Sequence, residues 1–172
     1  MLFRSVCGIP KDMEVRDDYT VLIGEQSVGL YQNVVEESLI RELEGELLVA
    51  AAHGEGYASV TSQFCKSYVL PDYTLCVLDW LGDKEETVHK ITVYGGDAMT
   101  ARGIRIGDSA EQLMTAYPEE LYPLESGHPL GEGYAYLPED GTSCYIFFQI
   151  TDGFIEQITL SVGYGGRPLE LD

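Results

Sequence analysis

Positive charge is scarce in this sequence. Lys and Arg total 10 against 29 Asp and Glu, a net charge of −19 with His neutral. A field of that sign repels phosphate backbones and anionic lipid surfaces, so nucleic acid is excluded as an expected partner. Long apolar runs are missing too. None reaches the ~18 residues a membrane-spanning helix needs, so no integral membrane segment is expected. Cysteine is limited to Cys7, Cys65, Cys76 and Cys144, without a C-x-x-C pair or Cys/His spacing that would hold zinc. Free thiols packed as small hydrophobes are the expectation in a chain of 172 residues. Histidine is confined to His53, His89 and His128. Carboxylates are so numerous that no two stand out as a catalytic pair. No catalytic residue, metal ligand or cofactor site is therefore assigned.

The opening stretch, MLFRSVCGIPKDMEV, is too short for a secretory signal with its apolar segment. Cys7 lacks the setting of a lipid-attached cysteine, because Val6 precedes it where a small residue is wanted and Arg4 stands where Leu is usual. The compartment is left between the cytoplasm and an exported chain whose start is not included.

What the sequence does have is apolar content, 45% of its residues, enough for a sizeable core in one compact domain. It also has internal similarity. YVLPDYTLCVLDWLGDKEETVHKITVYGG, from Tyr68 to Gly96, runs alongside YLPEDGTSCYIFFQITDGFIEQITLSVGYGG, from Tyr136 to Gly166. Each places a Cys eight residues after its Tyr, Cys76 and Cys144, then an apolar run, a Gly/Asp turn, an Ile-Thr strand and Tyr-Gly-Gly. The turns in LGDKEET and ITDGF read as hairpin turns. Helical spacing precedes each hairpin: Leu39, Leu43 and Leu47 in VVEESLIRELEGELL, then Leu113, Met114, Tyr117 and Leu121 in DSAEQLMTAYPEEL. An earlier strand, YTVLIGEQSVGLY, leads into the first helix.

The pattern predicts an α+β fold of two tandem helix–β-hairpin repeats, sharing one antiparallel sheet with both helices packed on one face. Residues 1–18 form an N-terminal segment, 19–99 the first unit and 100–172 the second. The joint lies at TARGIRIGDSAEQLMTAYPEEL, Thr100 to Leu121. Asp108 with Glu111, or Ser109 with Gln112, has capping-box spacing. The segment matches neither G-x-x-x-x-G-K-[ST] nor G-x-G-x-x-G, and Asp108 would repel a phosphate, so it reads as a structural joint.

Thr100, Gly103, Ile104, Ile106, Gly107, Asp108 and Ser109 also carry a likeness. With the strand IEQITLSV they resemble small tandem-repeat bacterial envelope proteins that share the fold of beta-lactamase inhibitor protein (BLIP-like) and, more distantly, of SmpA/OmlA (BamE) lipoproteins. Pro118 after Tyr117 departs from the Tyr-Gly usual there. The resemblance implies a BLIP-like fold, a binding habit rather than a reaction, and an extracytoplasmic setting.

Strand alternation assigns the sheet faces. Cys76, Leu78 and Trp80, matched by Cys144, Ile146 and Phe148, with Ile91, Val93, Ile158 and Leu160, form the predicted core face. The opposite face carries Leu75, Val77, Asp79, Thr92 and Tyr94, then Tyr145, Phe147, Gln149, Thr159 and Ser161. One-sided antiparallel sheets often leave that side in water, and aromatics there suit a protein interface. The expected function is a non-enzymatic protein-binding or scaffold module, with Val77, Asp79, Thr92, Tyr94, Tyr145, Phe147, Gln149 and Thr159 as binding residues. A hydrolase or thiol enzyme using Cys65, or a carboxylate with a histidine, is the first alternative. A homo-oligomer pairing through the same face is the second.

Overall fold

The computed structural model describes residues 17–34, 49–52, 65–78, 87–138 and 144–163. A 3-10 turn, Asp17–Tyr19, opens them. The strands are β1 (Thr20–Ile23), β2 (Gln26–Gly29), β3 (Val49–Ala52), β4 (Cys65–Val69), β5 (Tyr73–Leu78), β6 (Thr87–Val93), β7 (Met99–Thr100), β8 (Leu121–Leu124), β9 (Gly133–Tyr136), β10 (Cys144–Thr151) and β11 (Phe154–Val162). One short helix, α1 (Ala110–Ala116), interrupts them between β7 and β8. The strands form a small sheet, ordered β2-β1-β7, and a large one, ordered β3-β4-β5-β6-β11-β10-β9-β8. Every strand pair is antiparallel.

This overturns the expected fold class. Among the described residues the molecule is mainly β with a single seven-residue helix, not an α+β sheet covered by helices. Three local causes account for it. First, YTVLIGEQSVGLY is not one strand but a hairpin: Gly24, at φ 61°, turns the chain so that Val21 faces Val28 across β1 and β2. Second, that hairpin joins β7 and supplies Val21, Val28 and Leu30 to the main core, the place expected of helices. Third, α1 stops at Ala116, before Pro118, whose ring is incompatible with a continuing helix. Leu121, expected on the helix, begins β8 instead. The earlier predicted helix, with Leu39, Leu43 and Leu47, lies outside the described residues.

The helix–hairpin repeat is likewise corrected. What the large sheet repeats is strand pairing. Its order runs symmetrically outward from the β6–β11 pair, where Thr92 faces Thr159. Both flanking hairpins carry a β-bulge. In one the register slips between Cys76 and Val77, leaving His89 extra. In the other it slips between Gln149 and Ile150, leaving Glu156 extra. Counting from the centre, Cys76 therefore corresponds to Gln149. Cys76 faces Lys90, whereas Cys144 belongs to the main core. The matching of the two cysteines that the sequence suggests is not the sheet's register.

That register fixes the core. Leu75 faces Ile91, Ile91 faces Leu160, and Leu160 faces Ile146, an apolar row across four strands. Each of these side chains is fully buried. Burial of such a residue is worth about 1.5–3 kcal/mol. Leu113 and Tyr117 bring the α1 region onto the same core.

Candidate functional site

The face expected to be open is largely closed. Thr92, Thr159, Tyr145 and Phe147 are buried, with Phe147 only 1% exposed, and Gln149 is half-buried. Val77 lies in the main core rather than on this face, because Leu75, two residues earlier, already faces Ile91 on the core side. Asp79 lies outside the described residues. Tyr94 alone of the eight is shown exposed, at 53%.

The cause of closure at Tyr145 and Phe147 is the chain's own β8–β9 connection. Leu130, in that connection, packs with Leu124, Ala135, Tyr145 and Phe147 as a second small core. Burial raises the Tyr145 phenol above its ordinary range, against a lowering hydrogen bond with Ser161. Next to this cluster, Thr74, Thr92 and Thr159 stand side by side across β5, β6 and β11. Gln157 Nε2 donates to Thr159 Oγ1 at 3.1 Å. These hydroxyl and amide groups offer hydrogen bonds but no proton to exchange near neutral pH.

The joint holds a constellation that sequence reading missed. The Arg102 guanidinium grips Asp18 through two bonds, Nε to Oδ1 at 3.0 Å and Nη2 to Oδ2 at 3.1 Å. Nη2 also donates to the Tyr136 hydroxyl at 2.8 Å, and that hydroxyl donates to Asp18 Oδ2 at 3.1 Å. The guanidinium carbon sits 4.7 Å from the Tyr117 ring centre and 4.9 Å from that of Tyr136, in cation–π range. Nη1 donates to the Ala116 carbonyl at the end of α1.

Electrostatics follow the geometry. The Arg102 hydrogen bond holds the Asp18 carboxyl below its ordinary value, and Asp18 in return raises Arg102. Burial pushes the phenols of Tyr117 and Tyr136 up to about 12. Every member thus has a fixed charge state at neutral pH, which suits a clamp and not an acid–base catalyst. The clamp ties the Asp17–Tyr19 turn to the joint, to α1 and to β9. The only available sequence signal was an Arg-Gly pair at the joint; its partner Asp18 lies 84 residues away.

The α1 start is built as its sequence allows. Ser109 Oγ accepts from the Gln112 amide and Gln112 Oε1 accepts from the Ser109 amide, a closed capping box. Asp108 Oδ2 accepts instead from the Arg105 amide at 2.8 Å.

The residues weighed for thiol chemistry divide. Cys76 and Cys144 are buried and belong to no disulfide. His89 is 0% exposed, and burial first, then the Lys90 charge, lowers its pKa to about 4. His128 is half-buried, with Nδ1 accepting from the Leu130 amide at 3.2 Å. The Cys65 side chain, Cys7 and His53 fall outside the described portion. Among the described residues, no group of three or more His, Cys, Asp or Glu is placed to hold a metal ion. No described helix is long and apolar enough to cross a membrane.

One exposed corner joins an aromatic side chain to carboxylates. The β10–β11 hairpin turns through Asp152 and Gly153, with φ of 52° and 85°, as a two-residue hairpin turn demands. Phe154 follows and is 55% exposed. The turn is bound to the start of α1: Gly107 N donates to Ile155 O, Ile155 N to Asp108 O, and Ala110 N to Gly153 O, at 2.8, 2.9 and 3.0 Å. Exposed Asp152 and Glu156 flank Phe154, while exposed Glu111 and Met114 lie three residues apart on α1.

No family model, curated protein or solved structure significantly matches this chain.

Proposed function

We propose that this chain is a non-enzymatic binding module whose partner is a protein with a positively charged contact surface. The observation that carries this reading is the sign of its surface. Net charge is −19. Among the residues whose side-chain burial is described, the exposed cations are Arg102, already paired with Asp18, and Arg105. Such a field steers a basic partner into encounter and repels acidic ones. It also disfavours self-association, because a second copy brings the same charge.

Exposed apolar side chains supply the other half of an interface. Val69, Tyr94, Met114, Tyr122 and Phe154 are the exposed large hydrophobics of the described residues. Interface energy concentrates in a few such anchors, while surrounding charge sets rate and selectivity.

Affinity capture from cells, followed by titration of the purified partner, tests the reading. A saturable complex with a basic protein is expected, weakening several-fold as ionic strength rises from 0.05 to about 0.3 M, where screening shortens the reach of surface charge. Turnover of a substrate by the purified chain, or a complex indifferent to salt, would overturn it.

A further inference from the structure

Resting on that binding reading, we infer that the corner formed by the β10–β11 turn and α1 is the docking surface, and that it takes a Lys/Arg-bearing protein segment with one apolar anchor residue.

Rigidity comes first. Three backbone hydrogen bonds fasten the turn to residues 107–110, and Ser109 forms a bridge with Phe154. The capping box fixes the start of α1. A surface held in this way loses little conformational entropy on binding.

The apolar element is next. Leu113 and Ile155, beside the corner's exposed residues, are buried at 0% and 2% and root it in the core. Phe154 and Met114, by contrast, point to water at 55% and 45% exposure. A half-exposed Phe on a pinned hairpin and a polarizable Met suit the irregular fit of a partner side chain.

Charge then selects the occupant. Exposed Asp152 and Glu156 lie two residues either side of Phe154, exposed Glu111 lies three residues before Met114 on α1, and neither 106–117 nor 151–158 contains a Lys or Arg. The nearest cation along the chain, Arg105, directs Nη2 to Met99 Sδ at 3.6 Å. An acidic or neutral apolar segment would find the anchor site without compensation for the carboxylates. A basic one would gain on both counts.

The test uses the full-length, 15N-labelled chain and synthetic ten-residue peptides of three kinds. One carries four Lys or Arg around a central Leu, one carries the same charges around Gly, and one carries Leu among neutral residues. Amide shifts centred on 107–116 and 151–157 are expected with the first peptide. It should bind about tenfold or more tightly than either control, the scale of one well-seated anchor. Phe154→Ala should lose about tenfold in affinity with an unchanged thermal midpoint, and Asp152→Asn with Glu156→Gln should flatten the salt dependence. Shifts centred elsewhere, or full affinity in Phe154→Ala, overturn the corner while leaving the binding-module reading standing. Failure of all three peptides to bind overturns the corner's chemistry. The module reading itself falls only if the captured full-length partner is salt-indifferent or a substrate is turned over.

Discussion

Thr92 and Thr159 face each other across β6 and β11, and the strand order of the large sheet runs outward in the same way from that pair. The two bulges confirm the correspondence: each lies where a flanking hairpin changes register, with His89 extra on one side and Glu156 on the other. Equivalent positions carry unlike side chains, one buried and one exposed. The pairing geometry is shared; the chemistry placed on it is not.

Arg102 makes the first prediction. Arg102→Lys keeps the charge but loses the two-pronged contact with Asp18 and the planar stacking on Tyr117 and Tyr136. It should lower unfolding free energy by about 1–2 kcal/mol in urea titration. Coupling to Asp18 in a double-mutant cycle should be no more than ~1 kcal/mol, because the pair is partly exposed. A Lys variant as stable as the parent would show that the clamp contributes little.

Gly133 makes the second. A Cβ there would fall 2.0 Å from the Phe148 carbonyl oxygen, a backbone atom that cannot swing away. Gly133→Ala should therefore cost at least about 2–3 kcal/mol and disturb β9 against β10. Unchanged stability by chemical denaturation would mean that the two strands separate more readily than their pairing implies.

His89 governs the third, through pH. Its folded pKa, about 4, lies below its ordinary 6.5, so the unfolded chain takes up a proton first as pH falls. Stability is therefore held above pH 6.5 and lost progressively toward pH 4, by an amount of order 3 kcal/mol. Asp18 adds a further loss at lower pH, because its folded value is also depressed and its carboxylate must be protonated. Urea midpoints between pH 7 and 4.5 should show the slope, and His89→Gln should flatten it. A parent protein with level stability across that range would contradict the burial assigned to His89.

Parts of this structure were legible in the sequence. Asp152-Gly153 announced its hairpin, Ser109 and Gln112 announced a capping box, and the alternation of Ile146, Phe148, Ile158 and Leu160 marked a core face. Other parts were hidden for physical reasons. β8 and β9 lie in LYPLESGHPLGEGYAY, whose Pro and Gly read as loop. Pro123 is tolerated because β8 is the sheet's edge, where a missing amide donor leaves no ladder bond unmade. The face of β5 was inverted because matching Cys76 to Cys144 set the wrong register. The closure over Phe147 depends on Leu130 from a distant loop, and the Arg102 clamp on Asp18; alternation within one strand carries neither. For the exposed corner, the turn was readable, but the exposure of Phe154 was not, since apolar residues on β11 are expected to face inward.

Hydrogen exchange on the chain with its captured protein partner tests the central claim most directly. Slowed exchange confined to 107–116 and 151–157 is expected, with the amides of Thr92 and Thr159 unchanged. Protection centred on the threonine row, or none anywhere at saturating partner, would contradict it.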